Sequence, residues 1–241
     1  MRAGWQVWCA AVLAVAGVVC AGGLARAQDD WQVLERHTDP EPQPKAAPAA
    51  QAGPGGVFRA CGEKARAATE PYKSIVANLD AMYGVSFPVY ESVAAISPHA
   101  SIGGCIFYNP TFLASLLGNW MDIQKGQDRN PILYAIFAHE LGHQIHGDVD
   151  GENPGHSKKQ RELAADQFAG YTVERMGFRR LFPEEITKYY QLTGDDFVGA
   201  GQRGYHGTGE ERTTAFLDGW NRAELGVPEE GAAPAGGLGQ R

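Results

Sequence analysis

Apolar residues recur at helical spacing twice before residue 84. Phe58, Cys61, Ala65 and Ala68 form one set, and Ile75, Leu79 and Met82 form another, with Pro71 either splitting two helices or marking the second start. Val85–Ile96, rich in Val, Phe and Tyr, reads as a strand, and Ser101–Asn109 reads as a second strand entered through Gly103-Gly104. Asn109-Pro110 stops it, and a short helix is expected over Thr111–Trp120. Asn130-Pro131 opens a strongly apolar helix that Gly147 ends. After a loop over Asp148–Ser157, Ser157 is placed to cap a helix reaching Met176. A short helix over Phe182–Leu192, a Gly-rich loop over Gly194–Gly209 and a final helix over Glu210–Leu225 complete the pattern, without internal repeats. The expected class is α+β, mostly helical, with a small sheet whose edge strand precedes the Asn130–Gly147 helix.

The two ends lack this periodicity. Met1–Ala27 has Arg2, an Ala- and Val-rich apolar run and an Ala25-Arg26-Ala27 site, the form of a secretory signal; the other reading is an uncleaved membrane anchor. Residues 28–57 form a Pro/Ala-rich linker that cannot bury enough apolar surface to offset its ordering entropy, and 226–241 forms a similar tail. One domain over 58–225 remains. Secretion or a periplasmic location follows, with membrane contact only through an uncleaved signal. Removing the signal takes Cys9 and Cys20 with it, leaving Cys61 and Cys105 as an even pair in an oxidising compartment. A disulfide between them is expected to tie the first helix of the domain to the strand before the apolar helix. The formal charge of −7, without basic runs, gives no reason to expect a nucleic-acid partner.

The chemistry lies in that apolar helix. HELGH places His139 and His143 at i and i+4, about 40° apart around the axis, so both imidazoles face one way and suit a single Zn2+. Glu140 lies beside them as a base for water. Apolar flanks, Ile132 to Phe137, would bury this cluster, and buried polar groups need partners. His146, His156, Glu152, Glu162 and Asp166 are the candidates for a third ligand. His146 and Val149 stand where a metzincin carries Gly and His, so that class is excluded, and His146 lies too far along the axis to share the ion. Glu162 and Asp166, in RELAADQFAG, share a helix face. One can reach the metal while the other holds a ligating His through its second ring nitrogen.

HELGH followed by ELAAD resembles the gluzincin zinc metallopeptidases, in particular the Ste24/HtpX-type peptidase family and the bacterial neutral zinc metallopeptidases with their ELxADxxAG segment. The resemblance covers about Ala60 to Glu224, without that family's membrane portion. It implies a zincin-like fold, one Zn2+ per chain, Glu162 as third ligand and Asp166 as its support. Tyr205–Arg212 resembles the family's HP-x4-R segment, which gives His206 the oxyanion and Arg212 the acidic support network. Gly207 replaces the usual proline, which leans toward the neutral zinc group. In such peptidases a sheet edge receives the substrate as an added strand. Gly103 and Gly104 would allow that approach, or form a simple bulge.

The expectation is thus a secreted or periplasmic zinc endopeptidase acting on proteins or peptides, misfolded envelope proteins among them. The rival readings are a non-catalytic envelope chaperone or binding module that keeps a zinc site, and a closed structural site with His146 or His156 as fourth ligand.

Overall fold

The strand Cys105–Tyr108 is a continuous apolar run, CIFY, and every residue in it is buried. Such a run suits a central strand covered on both faces. The computed structural model describes residues 56–95, 97–123, 130–149, 155–178, 188–190 and 206–229. The expected signal, nearly all of the expected linker, Glu152, most of the helix expected over 182–192 and of the loop expected over 194–209, and the chain beyond 229 lie outside the described residues.

Five strands form one mixed sheet: β1 (Phe58–Ala60), β2 (Glu63–Ala67), β3 (Val89–Ser92), β4 (His99–Ser101) and β5 (Cys105–Tyr108), in the order β1-β2-β3-β5-β4. Only β3 and β5 run parallel. Among the described residues five long helices accompany it: α1 (Tyr72–Tyr83), α2 (Pro110–Ile123), α3 (Asn130–His146), α4 (Lys158–Arg175) and α5 (Gly209–Glu224). The protein is therefore α+β, as expected. Ile106 and Tyr108 of β5 face the main core with Leu79, Phe137 and Phe168, while Cys105 and Phe107 face a smaller cluster with Ala65 and Tyr90. Among the described residues no helix is long and apolar enough to cross a membrane.

The helix expected at Phe58–Ala68 is a β-hairpin instead. Ala60 pairs with Glu63, and the two turn residues, Cys61 (φ 43°) and Gly62 (φ 84°), both sit in the left-handed region. A two-residue turn of that form matches strand twist, and it overrides a helical spacing that rested on four residues. Pro71 does mark a start, that of α1. The Cys61–Cys105 pairing is present, with an S–S distance of 1.92 Å, but it joins a hairpin turn to β5 rather than a helix to a strand. The strand expected over Ser101–Asn109 is likewise the end of a hairpin. Ser101 pairs with Cys105, and Gly103 (φ 93°) and Gly104 (φ 80°) lie in the turn between them. The edge strands are β1 and β4, and neither glycine belongs to either.

Local signals set the helix ends. Asn109 Oδ1 accepts the N–H groups of Thr111 (2.9 Å) and Phe112 (3.1 Å), so α2 begins at Pro110. Asp148 N–H donates to His143 O (2.9 Å) and Gly147 N–H to Gln144 O (3.4 Å) around left-handed Gly147, closing α3. Ser157 with Gln160, and Thr208 with Glu211, form reciprocal caps on α4 and α5.

The helices approach closely where glycine stands. A Cβ on Gly170 of α4 would lie 1.9 Å from the Phe216 carbonyl oxygen, and one on Gly219 of α5 would lie 1.8 Å from that of Gln167. On α3, a Cβ at Gly142 meets Phe168 at 3.2 Å and Ala165 at 3.3 Å. Gly170→Ala and Gly219→Ala are therefore expected to cost about 1–3 kcal/mol or more in urea denaturation. Gly118→Ala on α2, which meets nothing within 4 Å, should instead stabilise by about 0.5–1 kcal/mol. Equal effects at the three positions would contradict this packing.

Candidate metal centre

Helix α3 is buried almost all round, from Ile132 to Leu141. That leaves its polar residues in two pairs at i and i+4, on neighbouring faces. His139 and His143 face α4, and Glu140 and Gln144 face the β4–β5 hairpin.

On the first face, His139, His143 and Glu162 form a group of three donors that could hold a metal ion. Their ligand atoms are mutually close: His139 Nε2 to His143 Nε2 3.1 Å, His139 Nε2 to Glu162 Oε2 3.3 Å, and His143 Nε2 to Glu162 Oε2 3.8 Å. Ligands at about 2.0–2.1 Å from one tetrahedral ion stand about 3.3 Å apart. The donor triangle therefore fits a single ion with one position left open. His146 is not in the group. It is buried against the edge of the Phe168 ring, and burial, then the charges of His143 and His156, hold its pKa down at about 4. His156 also stands outside the group.

Asp166, one turn beyond Glu162, is not one of the three donors. It is wholly buried, and its Oδ1 lies 2.8 Å from His139 Nδ1. Arg212 of α5 grips it in a fork, Nε to Oδ2 at 2.8 Å and Nη2 to Oδ1 at 2.8 Å. Burial opposes the Asp166 charge, but Arg212 and His139 outweigh it and hold the carboxyl below its ordinary range. Burial likewise opposes the Arg212 charge, and Asp166 more than restores it. The Tyr190 ring covers the guanidinium, whose Cζ is 5.0 Å from the ring centroid.

Burial also pushes His139 toward its neutral form, yet the Asp166 charge and the hydrogen bonds to Asp166 and Glu162 raise its pKa to about 10. Burial acts to raise Glu162, and its bonds to the two imidazoles reverse that and hold it well below the usual carboxylate range. These neighbours favour the charged form of the His139 imidazole.

His206 stands just before the α5 cap, half exposed, with Nε2 3.8 Å from Glu162 Oε1. Gly207 has φ 107°, which proline cannot adopt, so the backbone requires the departure from the HP-x4-R pattern.

On the second face, Glu140 Oε2 accepts the Ala100 N–H of β4 at 2.8 Å. Gln144 Nε2 donates to the carbonyls of Ser101 and Cys105, each at 3.0 Å. These contacts fix the hairpin to the helix that carries the ligands. Both faces open on a cleft of about 960 Å3, lined by His99, Ala100, the donor triad, Glu140, Lys158, Arg161 and His206 among others.

The structure brings His139, Glu140, His143, Glu162, Asp166, His206 and Arg212 close together. Cys61, Cys105, Gly103 and Gly104 lie apart from the donors. Ala100, Gln144 and Tyr190 were not foreseen. Only Gln144, at i+4 from Glu140, carried a local signal. Comparison with protein-family models, curated proteins and solved structures finds no match for this chain.

Two outcomes follow for the metal. His139 is biased toward its protonated form, and an ion at Nε2 competes with that proton, so affinity should rise with pH. Competition against a chelator between pH 6 and 9 reads this, and a flat profile contradicts it. Asp166→Asn should lower metal affinity about 10- to 100-fold. Arg212→Met should cost about 3–5 kcal/mol in denaturation, because it leaves a buried carboxylate without its cation.

Proposed function

We propose that this chain is a zinc-dependent endopeptidase of gluzincin type, with a zincin-like domain acting on proteins or peptides outside the cytoplasm. The observation that carries the reading is the triad of His139, His143 and Glu162 beside Glu140, on one wall of an open cleft. Three protein donors leave one position free, which favours catalysis over a closed structural site. When bound, zinc would supply Lewis acidity to water and to the scissile carbonyl.

The chain's own residues then divide the remaining work. The Ala100 N–H holds Glu140 Oε2, and Glu140 has no other protein hydrogen bond among the described residues, so Oε1 can take the water proton. The same carboxyl passes that proton to the leaving amine. His206, at the cleft wall, donates to the oxygen that gains charge at the carbonyl, a contribution of about 3 kcal/mol for a well-placed donor. Asp166 orients His139 through Nδ1 and leaves Nε2 for the ion, and Arg212 keeps Asp166 ionised.

The decisive variant is Glu140→Gln, assayed on an unfolded model protein with zinc and with chelator. Bound metal should stay at one per chain while turnover falls by about 10²–10⁴. Hydrolysis that persists at the wild-type rate in the Glu140→Gln protein, or in the presence of chelator, would end the proposal.

A further inference from the structure

The cleft has a basic wall that the reaction described above does not use. Lys158 and Arg161 line it, in the first turn of α4, beside Glu162. Lys158 is four residues before Glu162 and so shares its helix face, about 6 Å away along the axis. Three features set this pair apart. The chain is acidic, with a formal charge of −7. A helix N-terminus disfavours cations, and the first turn of α4 holds no acidic residue to offset them. The third cation of that turn, Lys159, is paired with Glu211 of α5. Neither Lys158 nor Arg161 has a carboxylate partner among the described residues. Arg161 is braced by a 3.3 Å bond from Nη1 to the His156 carbonyl, which leaves most of its donors for the cleft.

We infer that Lys158 and Arg161 form a carboxylate-binding subsite beside the metal group, so that preferred ligands are peptides carrying an acid close to the reacting bond. The axial offset equals about two residues of extended chain. The acid is therefore an Asp or Glu side chain, or the C-terminal carboxylate of the peptide. The inference rests on the peptidase reading for its substrate class, but the subsite itself is tested by binding alone.

The test uses zinc-loaded full-length Glu140→Gln protein and three fluorescent heptapeptides. One has a central Asp and an amidated C-terminus, one a central Asn and an amidated C-terminus, and one a central Asn and a free C-terminus. At least one acidic peptide should bind roughly 10- to 100-fold more tightly than the uncharged one, the range for a charge-assisted hydrogen bond. Which peptide gains identifies the source of the carboxylate. Lys158→Glu/Arg161→Glu should abolish the difference with metal stoichiometry unchanged, and Lys158→Gln and Arg161→Gln should each reduce it in part. Equal affinities for the three peptides, no measurable binding of any, or a preference that survives charge reversal would overturn the subsite. Cleavage of the same peptides by the wild type decides the peptidase proposal separately: carboxylate-dependent binding without cleavage keeps the subsite and removes the enzyme.

Discussion

A carboxylate with no exposed surface, Asp166, sets the conditions the rest of the site must meet. Burying an uncompensated charge costs several kcal/mol even after relaxation, so α4 can pack only where partners arrive. One arrives from α3 as His139 and another from α5 as Arg212. The Tyr190 ring closes over the guanidinium. The same contact serves the donor triad. With Nδ1 turned to Asp166, His139 has one ring nitrogen left, and it faces Glu162 and His143. Compensation of the buried charge and orientation of the ligand are one event, which couples completion of the fold to completion of the site.

Asp has a short side chain, so this compensation needs backbones that come close. Gly170 and Gly219 supply that approach between α4 and α5, where any Cβ would collide with a carbonyl. Gly142, between the two histidines, lets α3 rest against Phe168 and Ala165 of α4. The glycine inside HELGH thus has a packing role beside the chemistry of its neighbours. Gly207 has a conformational one. Its left-handed φ turns the chain into the Thr208 cap, which starts α5 and so delivers Arg212.

Much of this was legible because it is local. The His139/His143 and Glu162/Asp166 pairs follow from helical spacing, and Ser157 and Gly147 announce where helices begin and end. Spacing showed that one of Glu162 and Asp166 could hold a histidine, and the family resemblance pointed to Asp166 for the supporting role. The hairpins were not legible in the same way. Phe58, Cys61, Ala65 and Ala68 satisfy helical spacing, but a turn at Cys61-Gly62 and pairing of β2 with β3 decide the outcome, and that pairing is non-local. In Ser101–Asn109 the pair Gly103-Gly104 suits a strand entry as well as a turn, and only the pairing of Ser101 with Cys105 decides for the turn. Tyr190 and Ala100 carry no local mark at all, since each matters only through what lies opposite it.

The hairpin also changes how the sheet edge relates to Glu140. Edge addition of a peptide strand requires free outward-facing N–H and C=O groups on the edge strand. In β4 the Ala100 N–H does not serve the β5 ladder; it points to Glu140. An incoming strand that sought this donor would compete with the carboxylate the proposed reaction depends on. Gln144 ties both ends of the β4–β5 turn to α3, so the hairpin cannot move away to relieve that competition without breaking two hydrogen bonds. Glu140 is therefore positioned twice, by its helix relative to the donors and by β4 relative to the cleft. A substrate strand laid along this edge leaves the Ala100–Glu140 contact intact only by using other backbone groups of the hairpin.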